Sequence, residues 1–552
     1  MATAAATKEV SARLADLLVD AGVTTGFCVQ GDGNLDLMAC LAQVHGAAVV
    51  NTRHEQGAVA MADGYARFAD GIGFASVTAG AGLTNAATSI LEAVAARSPV
   101  LLVAPDSQSG TLTQTGFLAS LGCRVRVISA PRELAEQWPD VLAYLHARRG
   151  PLALSIPASV LRAPASPADR QAPAPAPRSI PSGAAPDRAA EWLSQACRPA
   201  LLAGHGLGSG PRARRLVAEL AEALGAPVVT TLKASGLLYG HPLALGAVGE
   251  LGSPDANAAL SAADFVISLG ASLSPWATNG GELLAGSRLV RVENDGDVHL
   301  DSNAARFVEA DLTIADDAVA VLDGILARTR SRDARDPWWQ GGPQAGASIK
   351  ALSSGQTASG LLDPRAVLLA LDQALPERRV IVLDGGHLGT FAAQILRSTD
   401  PRGYAYAYHC GAIGQALPIA IGATFARPED RTVVVAGDGG FAMGIADLST
   451  AVRYGRPLTV VVLNDEGFGQ ERINLRARRF DQQLSDHPSG DITAVARAFG
   501  YTAHQIRDDA GLAGLPGLLT RSAGPVLIEA RVDPHIINPA AVKIAERFRA
   551  RP

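Results

Sequence analysis

Cysteine is scarce: positions 28, 40, 123, 197 and 410 hold all five in 552 residues, far apart and with no CxxC pair. Such thiols read as reduced and mostly buried, which excludes a disulfide framework or zinc set and suits a cytoplasmic protein. Positive charge is also short. A net charge of −5 and a pI near 6.1 leave no electrostatic footprint for nucleic acid or an anionic membrane, so neither is expected as a partner. No stretch reaches the ~18 apolar residues of a membrane span. The first residues lack a continuous apolar core, so no secretory signal is expected and the chain reads as soluble. No short-period repeat is visible, which excludes a solenoid.

What is present is a composition of 48% hydrophobic and 18% charged residues, rich in Ala and Gly, as in an α/β enzyme. The length calls for several domains. Two stretches read as linkers, a Pro/Ala-rich connector at 163–187 and a charged, then Gly/Ser-rich one at 329–360 whose Trp338 and Trp339 are expected to pin it to a domain surface. They leave blocks at 1–162, 188–328 and 361–552, each alternating buried-strand runs with helical segments. The fold class expected is α/β, with three doubly wound parallel-sheet domains.

The most informative segment is GDGGFAMGIADLSTAVRYGRPLTVVVLND, residues 437–465. A buried strand precedes it, GDGG reads as a tight turn, Phe441 to Tyr454 has helical spacing, and a second buried strand ends in Asn464-Asp465. This βαβ unit places carboxylates and amides at the carboxyl ends of its strands, where open parallel sheets bind ligands. Gly439 and Gly440 let backbone N–H groups approach an anion at a positive helix end. Asp438 and Asp465, with a nearby carbonyl, suit a Mg²⁺ that bridges to phosphate.

With its 464 − 438 = 26 residue spacing, this segment resembles the signature of thiamine diphosphate (ThDP) enzymes of the acetolactate synthase, pyruvate decarboxylase and benzoylformate decarboxylase type. The resemblance implies Mg²⁺ on Asp438, Asp465 and the Gly467 carbonyl, with Asp465 standing where Asn is commoner. It extends over nearly the whole chain. RHEQGAVAMADGYAR and TAGAGLTNA resemble the pyrimidine-binding domain, in which Glu55 would hydrogen-bond the aminopyrimidine and drive its tautomerisation. On its own, a Glu there is a solvated first-turn residue. RRVIVLDGGHLGTFAAQ places Gly385, His387 and Leu388 over the diphosphate, and Phe468 follows the metal loop. In HCGAIGQALPIAIGA the Gly411 carbonyl would receive the 4′-amino group and Ile413 would wedge between the two rings. The third block is thus identified as the diphosphate-binding domain.

The middle block resembles the central domain of the same enzymes. Its GHGLGSG turn invites a dinucleotide reading, but the third glycine is misplaced. Some relatives hold FAD there and many have lost it; FAD stays open, and the flavin-free reading is preferred. Substrate positions are mixed. VQGDGN aligns with a decarboxylase loop that nominates Asp32 as catalytic, against a plain helix cap, and NDEGFGQER nominates Glu471 as a proton-handling residue, against a surface carboxylate. SGTLTQTGFLASLG, at 109–122, has no histidine where simple decarboxylases carry a pair. Slower protonation of the carbanion equivalent would favour its addition to a second carbonyl. The expected activity is therefore a carboligase acting on a 2-oxo acid and a second carbonyl acceptor, with a simple decarboxylase as the alternative and a non-catalytic subunit of the same fold as a distant third. Arg472, Arg476, Arg478 and Arg479 read as solvated or interfacial charges. The resemblance further implies a homodimer or homotetramer in which Glu55 of one subunit meets Asp438 of another.

Overall fold

Short Val, Ile, Leu and Ala runs become central strands here because helices cover both of their faces. The computed structural model describes residues 8–106, 112–166, 184–293, 308–329, 335–341, 353, 355–521 and 524–549. The first sheet contains β1 (Thr25–Cys28), β2 (Ala48–Asn51), β3 (Gly73–Ser76), β4 (Val100–Asp106), β5 (Arg124–Val127) and β6 (Leu152–Pro157). The second contains β7 (Pro199–Ala203), β8 (Val228–Thr230), β9 (Ala244–Ala247), β10 (Phe265–Leu269), β11 (Arg288–Glu293) and β12 (Leu312–Ala315). The third contains β13 (Arg379–Asp384), β14 (Tyr404–Ala407), β15 (Arg431–Gly437), β16 (Leu458–Asn464), β17 (Thr502–Ile506) and β18 (Val526–Arg531). Every named pairing is parallel. Three parallel α/β sheets are thus present, as the sequence led us to expect.

The first and third sheets share one topology, β2-β1-β3-β4-β6-β5 and β14-β13-β15-β16-β18-β17. In each, strand order reverses between the first and third strands, and the crevice at that reversal is where ligands bind. The second sheet runs β12-β11-β10-β7-β8-β9, the 3-2-1-4-5-6 order of dinucleotide-binding folds read from its other edge. Its glycine-rich loop packs backbone on backbone: a Cβ on Gly204 would lie 2.3 Å from the Gly270 carbonyl oxygen.

Matching helices of the like sheets pack on each other. Glu55–Phe68 follows β2, Ala416–Ala426 follows β14, and the two cross so closely that a Cβ on Gly64 would sit 2.1 Å from Ile419 O and one on Gly422 2.0 Å from Met61 O. Val and Ala side chains from both sheets join one core around this crossing. Arg53 N–H donates to Asp447 Oδ1 at 3.3 Å and Arg53 Nε to Ser449 Oγ at 2.9 Å, tying the start of the first helix to the third sheet.

Several local expectations shift. The segment after VQGDGN, whose spacing over 34–45 predicts one helix, is an α-helix, Leu35–Ala39, running into one wide turn, Cys40–Val44. GDGG is no separate turn: helix Asp438–Gly444 begins at the aspartate, because Gly437 stays extended and a carboxylate in the first turn suits the helix dipole. A short 3₁₀ turn, Ile445–Asp447, then leads into helix Leu448–Arg453. The helix Ala184–Gln195 starts inside the first expected linker, whose residues 167–183 lie outside the described residues. Much of the second linker also lies outside them, but Trp338 Nε1 donates to Pro199 O at 2.7 Å and both tryptophans pack on the second sheet's core. Among the described residues no helix is long and apolar enough to cross a membrane.

The crossing generates a prediction. Gly64→Val forces side-chain carbons into a carbonyl, an overpacking that costs about 1–3 kcal/mol. The variant should lower the thermal unfolding midpoint, read by circular dichroism, while Gly286→Val, at an exposed turn with open space and no positive φ, should cost much less.

Candidate active site

Three loops line up at the carboxyl edge of the third sheet, because β13, β15 and β16 are neighbours. The first carries Gly385 to Leu388, the second Asp438 to Gly440, the third Asp465 to Gly469. Asp438 is buried, at 1% exposure. Ser489 Oγ donates to its Oδ2, while Oδ1 is buried with no hydrogen-bond partner. Asp465, also buried, lies within hydrogen-bonding reach of Asp438. Burial, and then the negative charge of Asp438, push the Asp465 carboxyl up to about 7; burial also raises Asp438. Two buried carboxylates face each other, and one oxygen lacks any donor.

The third loop is shaped by Asn464. Its Nδ2 donates to Glu529 Oε1 at 2.8 Å and its Oδ1 accepts from Glu466 N–H at 3.0 Å, while Glu466 sits at φ 55. That turn leaves Asp465 aimed at Asp438 and brings buried Gly467 opposite Asp486. Arg472 holds the turn shut. Its NH1 donates to Asp465 Oδ2 at 2.9 Å and its NH2 to Asp486 Oδ1 at 3.0 Å. Arg472 is therefore a site residue rather than a solvated charge, and sequence spacing alone did not show its partner. Phe468 stacks on His487, with ring centroids 5.4 Å apart, and a Cβ on Gly439 would meet the Phe468 ring at 2.6 Å. His387 and Leu388 are buried; burial, then the Arg472 charge, pushes His387 down to about 4, so it is neutral at pH 7. A Cβ on Gly385 would strike the Tyr408 ring at 2.1 Å.

The donor set fits a hard cation. Among the described residues no group of three or more His, Cys, Asp or Glu forms a cage, so the two carboxylates would need a backbone oxygen such as Gly467 and oxygens of a bound anion. Gly439 and Gly440 bring backbone N–H groups, the kind that can receive an anion, to the start of helix Asp438–Gly444, and their missing side chains make room for the Phe468 ring and the Asp384 carboxylate.

Glu55 opens its helix, with His54 Nδ1 capping Gln56 N–H at 3.2 Å. Asn85 Nδ2 donates to Glu55 Oε2 at 3.0 Å, and the TAGAG turn passes closely enough that a Cβ on Gly82 would lie 3.3 Å from Oε1. Gly411 is exposed at φ 83 and Ile413 is half-buried, so this apolar side chain is not simply core. Asp32 is 86% exposed and paired with Arg162 at 2.8 Å. Glu471 is exposed in the first turn of helix Gly469–Ala477 and accepts from Asn474 Nδ2 at 3.0 Å. Helix Pro539–Arg549 packs on that helix, with Gln470 Nε2 donating to Ala541 O at 3.3 Å. Within the chain, none of these contacts joins Asp32, Glu55 or Glu471 to the Asp438 loop.

Comparison with known proteins agrees across the chain. The family models "Thiamine pyrophosphate enzyme, N-terminal TPP binding domain", "central domain" and "C-terminal TPP binding domain" match residues 8–121, 186–325 and 384–530. A probable 2-ketoarginine decarboxylase of Pseudomonas aeruginosa is 30% identical over 512 residues, 90% of this chain and 89% of that protein. A sulfoacetaldehyde acetyltransferase of Alcaligenes xylosoxydans xylosoxydans is 29% identical over 539 residues, covering 88% and 87%. Acetolactate synthase isozyme 3 large subunit of Escherichia coli is 29% identical over 519 residues, covering 89% and 88%. In fold, the Rhodococcus jostii RHA1 thiamine diphosphate-dependent 4-hydroxybenzoylformate decarboxylase superposes with a TM-score of 0.79 at 21% identity, covering 95% of this chain and 99% of that one.

The facing carboxylates predict a trade between stability and binding. Asp438→Asn removes one of two like charges and lets an amide donate to Asp465, so the cofactor-free protein should gain about 1–2 kcal/mol. Thermal unfolding should show that gain, and addition of Mg²⁺ with ThDP should no longer raise the midpoint.

Proposed function

Because the chain belongs to the thiamine pyrophosphate-dependent enzymes, we propose that it uses ThDP and Mg²⁺ to decarboxylate a 2-oxo acid and join the acyl unit to a second carbonyl, in the manner of an acetolactate synthase. The observation that carries the cofactor part is the buried, partnerless Oδ1 of Asp438 beside Asp465. A divalent cation compensates such a pair, and a diphosphate completes the cation's coordination. Asp438, Asp465 and the Gly467 carbonyl would hold Mg²⁺. Gly439 and Gly440 would receive the diphosphate, with Gly385, His387, Leu388 and Phe468 closing around it. When bound, ThDP supplies an electron sink for the carbanion left by loss of CO₂.

The chain's own groups then divide the work. Glu55, oriented by Asn85, would share a proton with the aminopyrimidine ring nitrogen, and the Gly411 carbonyl would accept from its amino group. Ile413 would pack against the cofactor's rings. The preference for carboligation rests on what surrounds the acyl unit. The 109–122 stretch offers no histidine, and Asp32 and Glu471 are held by Arg162 and Asn474. With both of these carboxylates engaged, protonation at the acyl unit would be slow and addition to a second carbonyl would be favoured. Simple decarboxylation with aldehyde release is the second reading, favoured by the 2-ketoarginine decarboxylase likeness. We propose a working site between subunits of a homodimer or homotetramer in the cytoplasm: Glu55 is bound by Asn85 of its own domain, and no described contact joins it to the Asp438 loop.

Incubation with pyruvate, ThDP and Mg²⁺ should yield acetolactate or a mixed acyloin by mass spectrometry; acetaldehyde alone would select the second reading. Glu55→Gln should retain ThDP binding and lose about 10²–10⁴-fold in turnover, the range for one positioned proton-transfer group.

A further inference from the structure

The segment Tyr408–Gln415 joins β14 to the Ala416–Ala426 helix and contains Gly411 and Ile413. Neither lies in a core: Gly411 is exposed and Ile413 half-buried. A segment without its own core holds a fixed height only if its backbone is tied elsewhere. Two fully buried carboxylates do this, from two different sheets. Upstream, Glu92 of helix Ala87–Ala96 accepts from Cys410 N–H through Oε2 at 2.9 Å and from His409 Nδ1 through Oε1 at 2.7 Å. Downstream, Asp384 at the end of β13 accepts from Gly414 N–H, at 3.1 Å to Oδ1 and 2.9 Å to Oδ2. Only residues 411–413 lie between the tied amides. The turn is tight: Gly411 and Gly414 both sit at φ 83, and a Cβ on Gly414 would lie 2.6 Å from Met443 Cβ.

We propose that Glu92 and Asp384 are positioning residues that clamp this segment from both sides and so set where the Gly411 carbonyl and the Ile413 side chain meet the cofactor ring. The inference rests on the ThDP reading above. Charge-assisted bonds from a backbone N–H to a carboxylate are short and strong, which suits the Glu92 arm; burial pushes the Asp384 carboxyl up to about 7, so that arm rests on its two contacts to one amide. Glu92 is kept ionised: burial works against its charge, but His409, Arg67 and the Cys410 amide hold its carboxyl below the usual range. Arg67 NH2 lies 3.0 Å from Glu92 Oε1 and also pairs with Asp63. Arg67 and Asp63 belong to the far end of the helix that Glu55 opens. One helix therefore offers Glu55 at its start and braces the ring-bearing segment of its own chain at its end.

The test uses Glu92→Gln and Glu92→Asp in the full-length protein. Glu92→Asp keeps the charge beside Arg67 but withdraws it by one methylene from Cys410. Hydrogen exchange over 409–415 is measured without cofactor, and affinities are measured for ThDP with Mg²⁺ and for inorganic pyrophosphate with Mg²⁺. Both variants should exchange faster over 409–415 and not over 438–444. Both should bind ThDP ~10-fold or more weakly, as for loss of one charge-assisted bond, with pyrophosphate affinity unchanged. A Glu92→Asp protein like wild type, or a parallel fall for both ligands, would overturn the clamp and leave Glu92 a plain structural counter-charge. Wild-type protein that takes pyrophosphate but not ThDP would refute the cofactor reading instead; exchange over 409–415 would then decide the clamp on its own.

Discussion

Two carboxylates, Asp438 and Asp465, are buried against each other at the carboxyl edge of the third sheet. Like charges at close range in a dry site are unfavourable, and among the described residues Asp438 Oδ1 has no hydrogen-bond partner. Arg472 offsets part of the charge on Asp465. Much of the surrounding structure enforces this arrangement: the Asn464 turn, the positive φ at Glu466, the Gly467–Asp486 bridge and the glycines of the second loop. A site built against its own electrostatics calls for a cation, and the glycine-lined helix start beside it calls for an anion.

The repeated topology gives this site a wider context. The first and third sheets place corresponding helices after their second strands, and those helices meet at Gly64 and Gly422. Such an approach leaves no room for sliding, so the position of Glu55 and that of the 409–415 segment are mechanically linked. The central sheet contributes differently. Backbone packing against Gly270 accounts for Gly204 and Gly206 of its glycine-rich loop.

Fold and cofactor chemistry were largely legible in the sequence. β15 and β16 centre on apolar runs, as strands covered on both faces must, and GDGG with Asn464-Asp465 marks by residue type the two loops whose carboxylates meet. Helix limits were less legible, since Asp438 joins its helix and the 34–45 segment changes its winding. Asn85, Glu92, Asp384 and Ser489 escaped notice, and Arg472 was read as a solvated or interfacial charge, for another reason. Each acts through a partner that only the folded chain brings into reach, and an isolated Glu, Arg or Ser carries no periodicity that announces such a partner. Arg472 illustrates this: among four arginines of similar spacing, only the folded loop shows that one grips Asp465. Ile413 is intermediate, ordinary in sequence yet left half-exposed in a loop by the fold.

The most direct measurement is a calorimetric titration of the wild-type protein with ThDP, with and without Mg²⁺. The account predicts saturable binding that requires the divalent ion, one ThDP per chain. Binding that ignores the metal, or none at all, would contradict it.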